Sequence, residues 1–201
     1  MQSQRQPSNS LSTADYLLKF VILQNQFQQG IGKAFAWLAL LLVVLSASIV
    51  ILRYGFESGS IALQESILYT HAIFFMMGMG YTLQQDAHVR VDVFYSRFTP
   101  RNQAIIDLMG SLVFALPALI FILWIGWDYV SDSWAIQESS AEAGGLPYLY
   151  LLKSFMIIMA LLMVLQVLSV IAQTSCQLLY PQDPKLIRFL AENRPQHEEK
   201  F

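Results

Sequence analysis

Residues 34–52 read AFAWLALLLVVLSASIVIL, a run without a single charged side chain. An α-helix needs about 20 apolar residues to cross the hydrocarbon core of a bilayer, which is ~30 Å thick. Comparable stretches follow at 61–81, 105–129 and 149–172. They are continuously apolar rather than alternating, which favours helices over the strands of a barrel. The sequence therefore predicts an all-α membrane protein with four transmembrane helices.

The composition agrees with a chain that lies largely in lipid. Of the 201 residues, 55% are hydrophobic and 13% are charged, and the mean hydropathy is +0.47. Soluble domains usually carry about 25% charged residues, so a single soluble domain is excluded. Cys176 is the only cysteine, which excludes an internal disulfide and a thiolate metal cluster.

The segment before the first apolar stretch predicts one more helix. Residues 15–28 place apolar side chains on one face at helical spacing, and Gly30 and Gly32 follow as stop signals. We expect an N-terminal amphipathic interfacial helix here, in preference to a disordered tail. The predicted organisation is a cytoplasmic N-terminal segment at 1–33, a four-helix transmembrane domain at 34–172 and a cytoplasmic tail at 173–201.

The basic residues predict the orientation of the chain in the membrane. Of the 12 Lys and Arg residues, only Arg53 and Lys153 belong to the side that faces away from the termini. Cytoplasmic segments carry an excess of Lys and Arg. We therefore expect both termini to lie in the cytoplasm.

His71 lies near the middle of the second span and hence near the midplane of the bilayer. It could be a haem ligand, a proton relay or a contact between subunits, because polar groups inside a membrane are often functional. The alternative that we favour is a neutral histidine bonded to a neighbouring helix, or its inter-subunit version. Haem ligation usually uses paired ligands, and His88 and His197 fall outside the spans. Pro117, in the middle of the third span, predicts a packing kink.

Two loops carry further patterns. In the internal loop, apolar and polar residues alternate through His88, Arg90 and Asp92, which predicts an extended segment. The external loop at 130–152 is acidic and rich in turn-forming residues. It could present a docking surface to an external protein or simply connect two spans, and the sequence leaves both interpretations open.

Several short motifs follow one another in a fixed order. Glu65 opens the second span and Gly78 and Gly80 lie near its end, followed by the segment HVRVDV at 88–93. Pro100-Arg101 then precedes IIDL at 105–108, and GLP at 145–147 stands six residues before Lys153. The order of these features resembles the small membrane subunit of tripartite ATP-independent periplasmic (TRAP) transporters, and the similarity covers residues 33–172.

The resemblance implies a non-catalytic subunit of an ion-gradient-driven importer in a bacterial inner membrane. Its partners would be a large multi-span membrane subunit, a periplasmic solute-binding protein and membrane lipids, without nucleic acid. It implies no catalytic, metal or cofactor residue in this chain, with sodium coupling in the large subunit. Candidate interface or docking residues are Glu65, His71, His88, Arg90, Asp92, Pro117, Glu138, Glu142, Gly145, Pro147 and Lys153.

Two other hypotheses remain at this stage. The chain could be a membrane anchor of a haem-containing redox complex, which would bind haem through His71. It could also be a small exporter that works without any partner. Four spans with one candidate kink and no internal repeat argue against the exporter, because secondary transporters bind substrate between paired structural repeats.

Overall fold

The computed structural model describes residues 13–85, 95 and 97–192, and every regular element among them is helical. The elements are α1 (Thr13–Gly55), α2 (Ile61–Gln84), α3 (Pro100–Ala135), α4 (Leu149–Leu179) and α5 (Pro184–Glu192). Three of them, α1, α3 and α4, are long and apolar enough to cross a membrane. Gln64, Glu65 and His71 make α2 more polar, and this 24-residue helix falls outside that group.

The helix α4 lies at the centre of the bundle, where it contacts α1, α2 and α3. In its most apolar stretch 39% of the residues are buried, against 6% in that of α3 and 0% in that of α1. Small residues allow the close approach: Ala160 of α4 is fully buried, and a Cβ added to Gly126 of α3 would lie 3.0 Å from Ile157. The outer helices expose their apolar side chains outward, as lipid-facing helices do.

The prediction that a separate N-terminal helix ends at Gly30 and Gly32 is wrong. The structure has one uninterrupted helix of 43 residues, which crosses the predicted boundary after residue 33. A Cβ on Gly32 would lie 2.4 Å from Cγ of Tyr81, so this glycine allows α1 to approach α2. Helical glycines at such a contact serve packing rather than termination, since a missing side chain lets two backbones come close.

The apolar stripe at the start of α1 is covered by protein. Leu18 and Val21 pack in one cluster with Ala172 and Cys176 of α4 and with side chains of α5. Ile22 and Phe27, which the sequence places on the same stripe, lie outside this cluster and are exposed. Because α1 is antiparallel to α4, its first turns reach the end of α4 that continues into α5.

The short helix α5 was not expected from the sequence, which gave this region only as part of a tail. It begins at Pro184, and the Lys185 backbone N–H donates to the Asp183 side chain at 2.8 Å, which caps the start. Leu186 is 1% exposed and Phe189 is 9% exposed, and both belong to the cluster that contains Leu18 of α1. The signal was present, since apolar residues at 186, 189 and 190 have helical spacing.

Two local features of α3 follow from nearby residues, and the second bears on the kink predicted at Pro117. Thr99 caps this helix, accepting a hydrogen bond from the Asn102 backbone N–H at 3.4 Å, with Pro100 in the first turn. Just before Pro117 the helix makes a π-helical turn at Ser111–Ala115, in which the Leu116 N–H donates to the Ser111 carbonyl oxygen. A proline lacks an N–H and disturbs the turn before it, and a π turn is one way to absorb that disturbance.

Candidate docking site at the loop end of the bundle

The segment that joins α3 to α4, residues 136–148, is held against α2 by one carboxylate. Glu65 lies in the second turn of α2 and accepts a hydrogen bond from the Ser140 hydroxyl on Oε1. Its Oε2 accepts another from the Leu146 backbone N–H at 2.6 Å. We call Glu65, Ser140 and Leu146 the loop clamp, and the end of the bundle that carries it the loop end. Bonds to an ionised acceptor are about twice as strong as neutral ones, so the clamp fixes this loop on α2.

Two adjacent glycines shape the loop around the clamp. Gly144 has φ +82°, a conformation that side chains other than glycine rarely adopt. A Cβ on Gly145 would lie 2.4 Å from Oγ of Ser140 and 2.8 Å from Oε1 of Glu65. The Ser140 N–H also donates to the Leu146 carbonyl oxygen at 3.1 Å, which closes the turn. The clamp therefore forms only if position 145 has no side chain.

A second link joins the loop to the start of α4. Lys153 forms an ion pair with Glu138, and its Nζ lies 4.0 Å from the centre of the Tyr129 ring in α3. The hydrogen bond from Lys153 is the main cause that lowers the pKa of Glu138. The Tyr150 backbone N–H donates to the Glu138 carbonyl oxygen at 3.4 Å. Lys153 of α4 thus contacts both the loop and α3.

Aromatic side chains reinforce the same junction. The Trp134 indole N–H donates to the Ser154 hydroxyl at 2.8 Å, and Ser154 in turn donates to the Tyr150 carbonyl oxygen at 2.9 Å. The Trp134 and Tyr150 rings meet edge to face, with their centroids 4.7 Å apart. The end of α3 and the first turns of α4 are therefore tied together directly, independently of the clamp.

The loop end presents a fixed outer face that is partly acidic and partly apolar. Glu142 and Pro147 are exposed, and so are Ile136 (73%) and Tyr148 (50%). Glu65 and Glu138, in contrast, direct their carboxylates into the molecule, where they hold the loop. This arrangement suits contact with another protein, because exposed apolar groups stand on a backbone that is already ordered.

The other predicted site residues lie away from this cluster. His71 is exposed on the outward face of α2, where its ring stacks on Phe75 at 6.5 Å between centroids. Pro117 is exposed on α3, on the outside of the bundle. His88, Arg90 and Asp92 lie outside the residues that the structure describes, and so does the predicted extended segment.

Sequence reasoning missed Ser140, Leu146, Trp134 and Ser154 as parts of this site. Local pattern holds no signal for the clamp, because Ser140 is 75 residues from Glu65 along the chain. The only hint was the pairing of a carboxylate at the start of a span with a glycine-rich turn in a distant loop.

A polar seam between α1 and α4 was also missed. Gln28 of α1 is fully buried and donates from Nε2 to the Leu162 carbonyl oxygen of α4 at 2.8 Å. One turn away, Asn25 Oδ1 accepts from Gln166 Nε2 at 3.3 Å and from the Ser169 hydroxyl at 3.5 Å. We call Asn25, Gln28, Gln166 and Ser169 the polar seam. It joins α1 to the central helix through three buried side chains, Gln28, Gln166 and Ser169, and the half-buried Asn25.

Comparison with known proteins supplies the family. The model of the family described as "Tripartite ATP-independent periplasmic transporters, DctQ component" matches residues 40–177, well over half of the 201-residue chain. No curated protein and no solved structure matches it. The matched range covers α2, α3, the clamped loop and nearly all of α4. This multi-pass membrane chain belongs to the DctQ component family of tripartite ATP-independent periplasmic transporters.

Proposed function

We propose that this chain is the non-catalytic small membrane subunit of an ion-gradient-driven TRAP-type solute importer. It braces a large multi-span transport subunit and forms part of the surface on which a periplasmic solute-binding protein docks. The family supports the transporter, and the loop clamp supports the docking surface. Glu65 holds residues 136–148 in one conformation before any partner arrives, and a preordered loop binds without the entropic cost of ordering it.

The proposed topology has four spans: α2 crosses the membrane in addition to α1, α3 and α4. Its 24 residues extend about 36 Å, enough for a ~30 Å hydrocarbon core, and it packs against α1 and α4. The excess of Lys and Arg at the other end supports an orientation with the loop end outside and both termini in the cytoplasm of a bacterium. The 43 residues of α1 extend about 64 Å, so its first turns lie at the cytoplasmic interface beside α5.

The proposal assigns the solute site and sodium coupling to the large subunit, with no cofactor bound by this chain. Secondary transporters hold substrate near the middle of the membrane. Apart from His71, the polar clusters among the described residues are the loop clamp and the polar seam, and the side chains in each bond to one another or to backbone groups. Such clusters hold helices together and do not form a path for a solute.

Reconstitution tests the proposal. The full chain is purified in mild detergent together with the large multi-span protein expressed from the same locus, and both are placed in liposomes with the secreted solute-binding protein outside. We expect co-purification in a fixed ratio and sodium-dependent uptake only when all three proteins are present. Uptake by this chain alone would contradict the proposal. A stoichiometric Soret band in the purified chain would instead support the haem-anchor alternative.

A further inference from the structure

One face of α2 remains uncovered by the other residues that the structure describes. Exposed or half-buried residues recur along it at intervals of three and four: Ile61, Gln64, Leu68, His71, Phe75 and Gly78. We call these six residues the outward stripe. The spacing matches the repeat with which one helix packs along another. From Ile61 to Gly78 the stripe extends about 26 Å, so a partner that covers it must itself cross most of a membrane.

The stripe contains polar groups that the described part of the chain leaves without hydrogen bonds. Ser66 and Thr70 of α2 bond back to carbonyl oxygens of their own helix, each at 2.7 Å. His71 and the Gln64 side chain have no such bond to any described residue, and Phe75 is the ring partner of His71. In lipid an unpaired imidazole is costly, so a histidine placed like His71 usually faces protein.

Gly78 adds a second, independent feature. Gly32, Gly80 and Gly126 are all needed inside the bundle, because a Cβ on any of them would meet another side chain at 3.0 Å or less. A Cβ on Gly78 would have no heavy atom within 4 Å. This glycine therefore leaves a notch on the stripe that no described residue fills. Small residues at such positions let a second membrane helix come close.

The outward face of α3 shows what a lipid-facing surface of this protein looks like. Its exposed side chains between residues 105 and 125, including Pro117 and Ala118, are all apolar. No polar side chain is exposed over that range of α3. The outward stripe of α2 differs, since it carries polar side chains that have no hydrogen bond to any described residue.

We propose that a transmembrane helix of the large subunit packs along the outward stripe, with a hydrogen-bonding side chain opposite His71 and its backbone close to Gly78. This inference rests on the proposed function and names the surface that carries it. The partner is a membrane helix because the stripe extends about 26 Å along α2. It offers a polar group at the depth of His71 because the imidazole needs a hydrogen-bond partner there. A second copy of this chain is the competing occupant.

Site-specific photocrosslinking tests the surface in the co-expressed full complex. A benzophenone amino acid replaces Leu68 or Phe75 on the stripe, and Phe114 or Phe121 on α3 as matched exposed controls. We expect crosslinks to the large subunit from 68 and 75, and about tenfold fewer from 114 and 121. Crosslinks from α3 alone, or only between two copies of this chain, would overturn the inference but leave the proposed function in place. Absence of the large subunit from the purified sample would overturn both.

Substitution of the two open glycines provides a second readout. Gly78→Leu fills the notch, whereas Gly110→Leu changes another helical glycine whose Cβ would also meet nothing within 4 Å. We expect Gly78→Leu to reduce recovery of the large subunit about tenfold and Gly110→Leu to change it less than about twofold. His71→Leu should reduce recovery about threefold, and His71→Gln should restore part of it. Equal recovery for Gly78→Leu and Gly110→Leu, with both variants eluting as single species, would contradict the proposal.

Discussion

Gln28 Nε2 of α1 donates a hydrogen bond to the Leu162 carbonyl oxygen of α4 at 2.8 Å, and the Gln28 side chain is fully buried. This contact joins α1 to α4, the central helix of the bundle. The sequence predicts α1 as two separate helices. The contact also fixes the relative height of α1 and α4, because a buried polar group has few acceptable positions.

The first prediction concerns this contact. Gln28→Ala removes a buried hydrogen bond and leaves a cavity, so we expect the free energy of unfolding to fall by about 2–4 kcal/mol. Thermal unfolding in detergent, followed by loss of the monodisperse elution peak, measures the change. Gln26→Ala is the matched control, since Gln26 is exposed two residues away on the same helix. Equal shifts in the two variants would show that the seam does not stabilise the fold.

The second prediction separates the two glycines that the sequence interprets as a helix stop. Gly32→Ala brings a Cβ within 2.4 Å of Cγ of Tyr81, and the clash should lower the midpoint of thermal unfolding, at a cost of about 1–3 kcal/mol. Gly30→Ala meets nothing within 4 Å and should leave the midpoint unchanged or raise it, because alanine favours a helix by up to about 1 kcal/mol. A true helix end would give similar results at both positions.

The third prediction tests the loop clamp. Glu65→Ala removes both acceptors, so residues 136–148 should become accessible to protease in the otherwise folded protein. Glu65→Gln retains one acceptor oxygen and should show an intermediate rate, because its amide group faces a donor. Limited proteolysis followed by mass spectrometry of the loop fragments measures this.

Glu57→Gln is the control for the clamp, since Glu57 is an exposed carboxylate in the α1–α2 connection. Its loop cleavage should match that of the unmodified protein. In the reconstituted transporter, Glu65→Ala should weaken docking of the solute-binding protein more than Glu57→Gln does. Unchanged cleavage in Glu65→Ala would show that the loop is ordered by other contacts.

The fourth prediction is a pH dependence at the second link. The pKa of Glu138 is lowered from its usual value of 4.5, chiefly by the hydrogen bond from Lys153. The stabilising contribution of the carboxylate is therefore complete above pH 4.5 and is lost as the pH falls through the folded-state pKa. The midpoint of thermal unfolding should differ between the unmodified protein and Glu138→Gln at pH 7, and this difference should shrink in acid. A difference that grows below pH 4.5 would contradict the assigned ion pair.

The fifth prediction uses the single cysteine as a reporter of α5. Cys176 is fully buried in the cluster that Leu186 and Phe189 complete. Leu186→Ala opens a cavity beside it, at a cost of about 2–4 kcal/mol, and should speed labelling of Cys176 by a maleimide in the folded protein. Ile187→Ala is the control, because Ile187 is 50% exposed on the same helix. Equal labelling rates would mean that α5 does not cover the cysteine.

The sequence predicts well those features that depend on neighbours in the chain. The start of α3 at Thr99 and Pro100 follows from the requirements of a helix N-terminus, and the π turn falls directly before Pro117, where local chemistry predicts a disturbance. The helical character of the apolar stretches follows in the same way, because in lipid the backbone of each segment must satisfy its own hydrogen bonds.

Contacts between distant segments were beyond the sequence. The prediction that Gly32 ends a helix was wrong because glycine has the same local signature at a helix end and at a helix contact, and only the position of Tyr81 distinguishes them. The pattern of α5 is visible in the sequence, but its partners Leu18 and Cys176 are far away in the chain. Glu65 was selected as a candidate without its two donors, which lie 75 and 81 residues further on.

By itself, the sequence determined that this chain forms apolar helices for a membrane, and its order of motifs pointed to the transporter family. These properties are local, since hydropathy and helix caps act over one or two turns. The tertiary structure alone decided which helix is central, which glycines are needed for packing, and which carboxylates hold the loop. Those outcomes depend on how α4 brings α1, α2 and α3 together, and a side chain acquires its partner only when the helices have met.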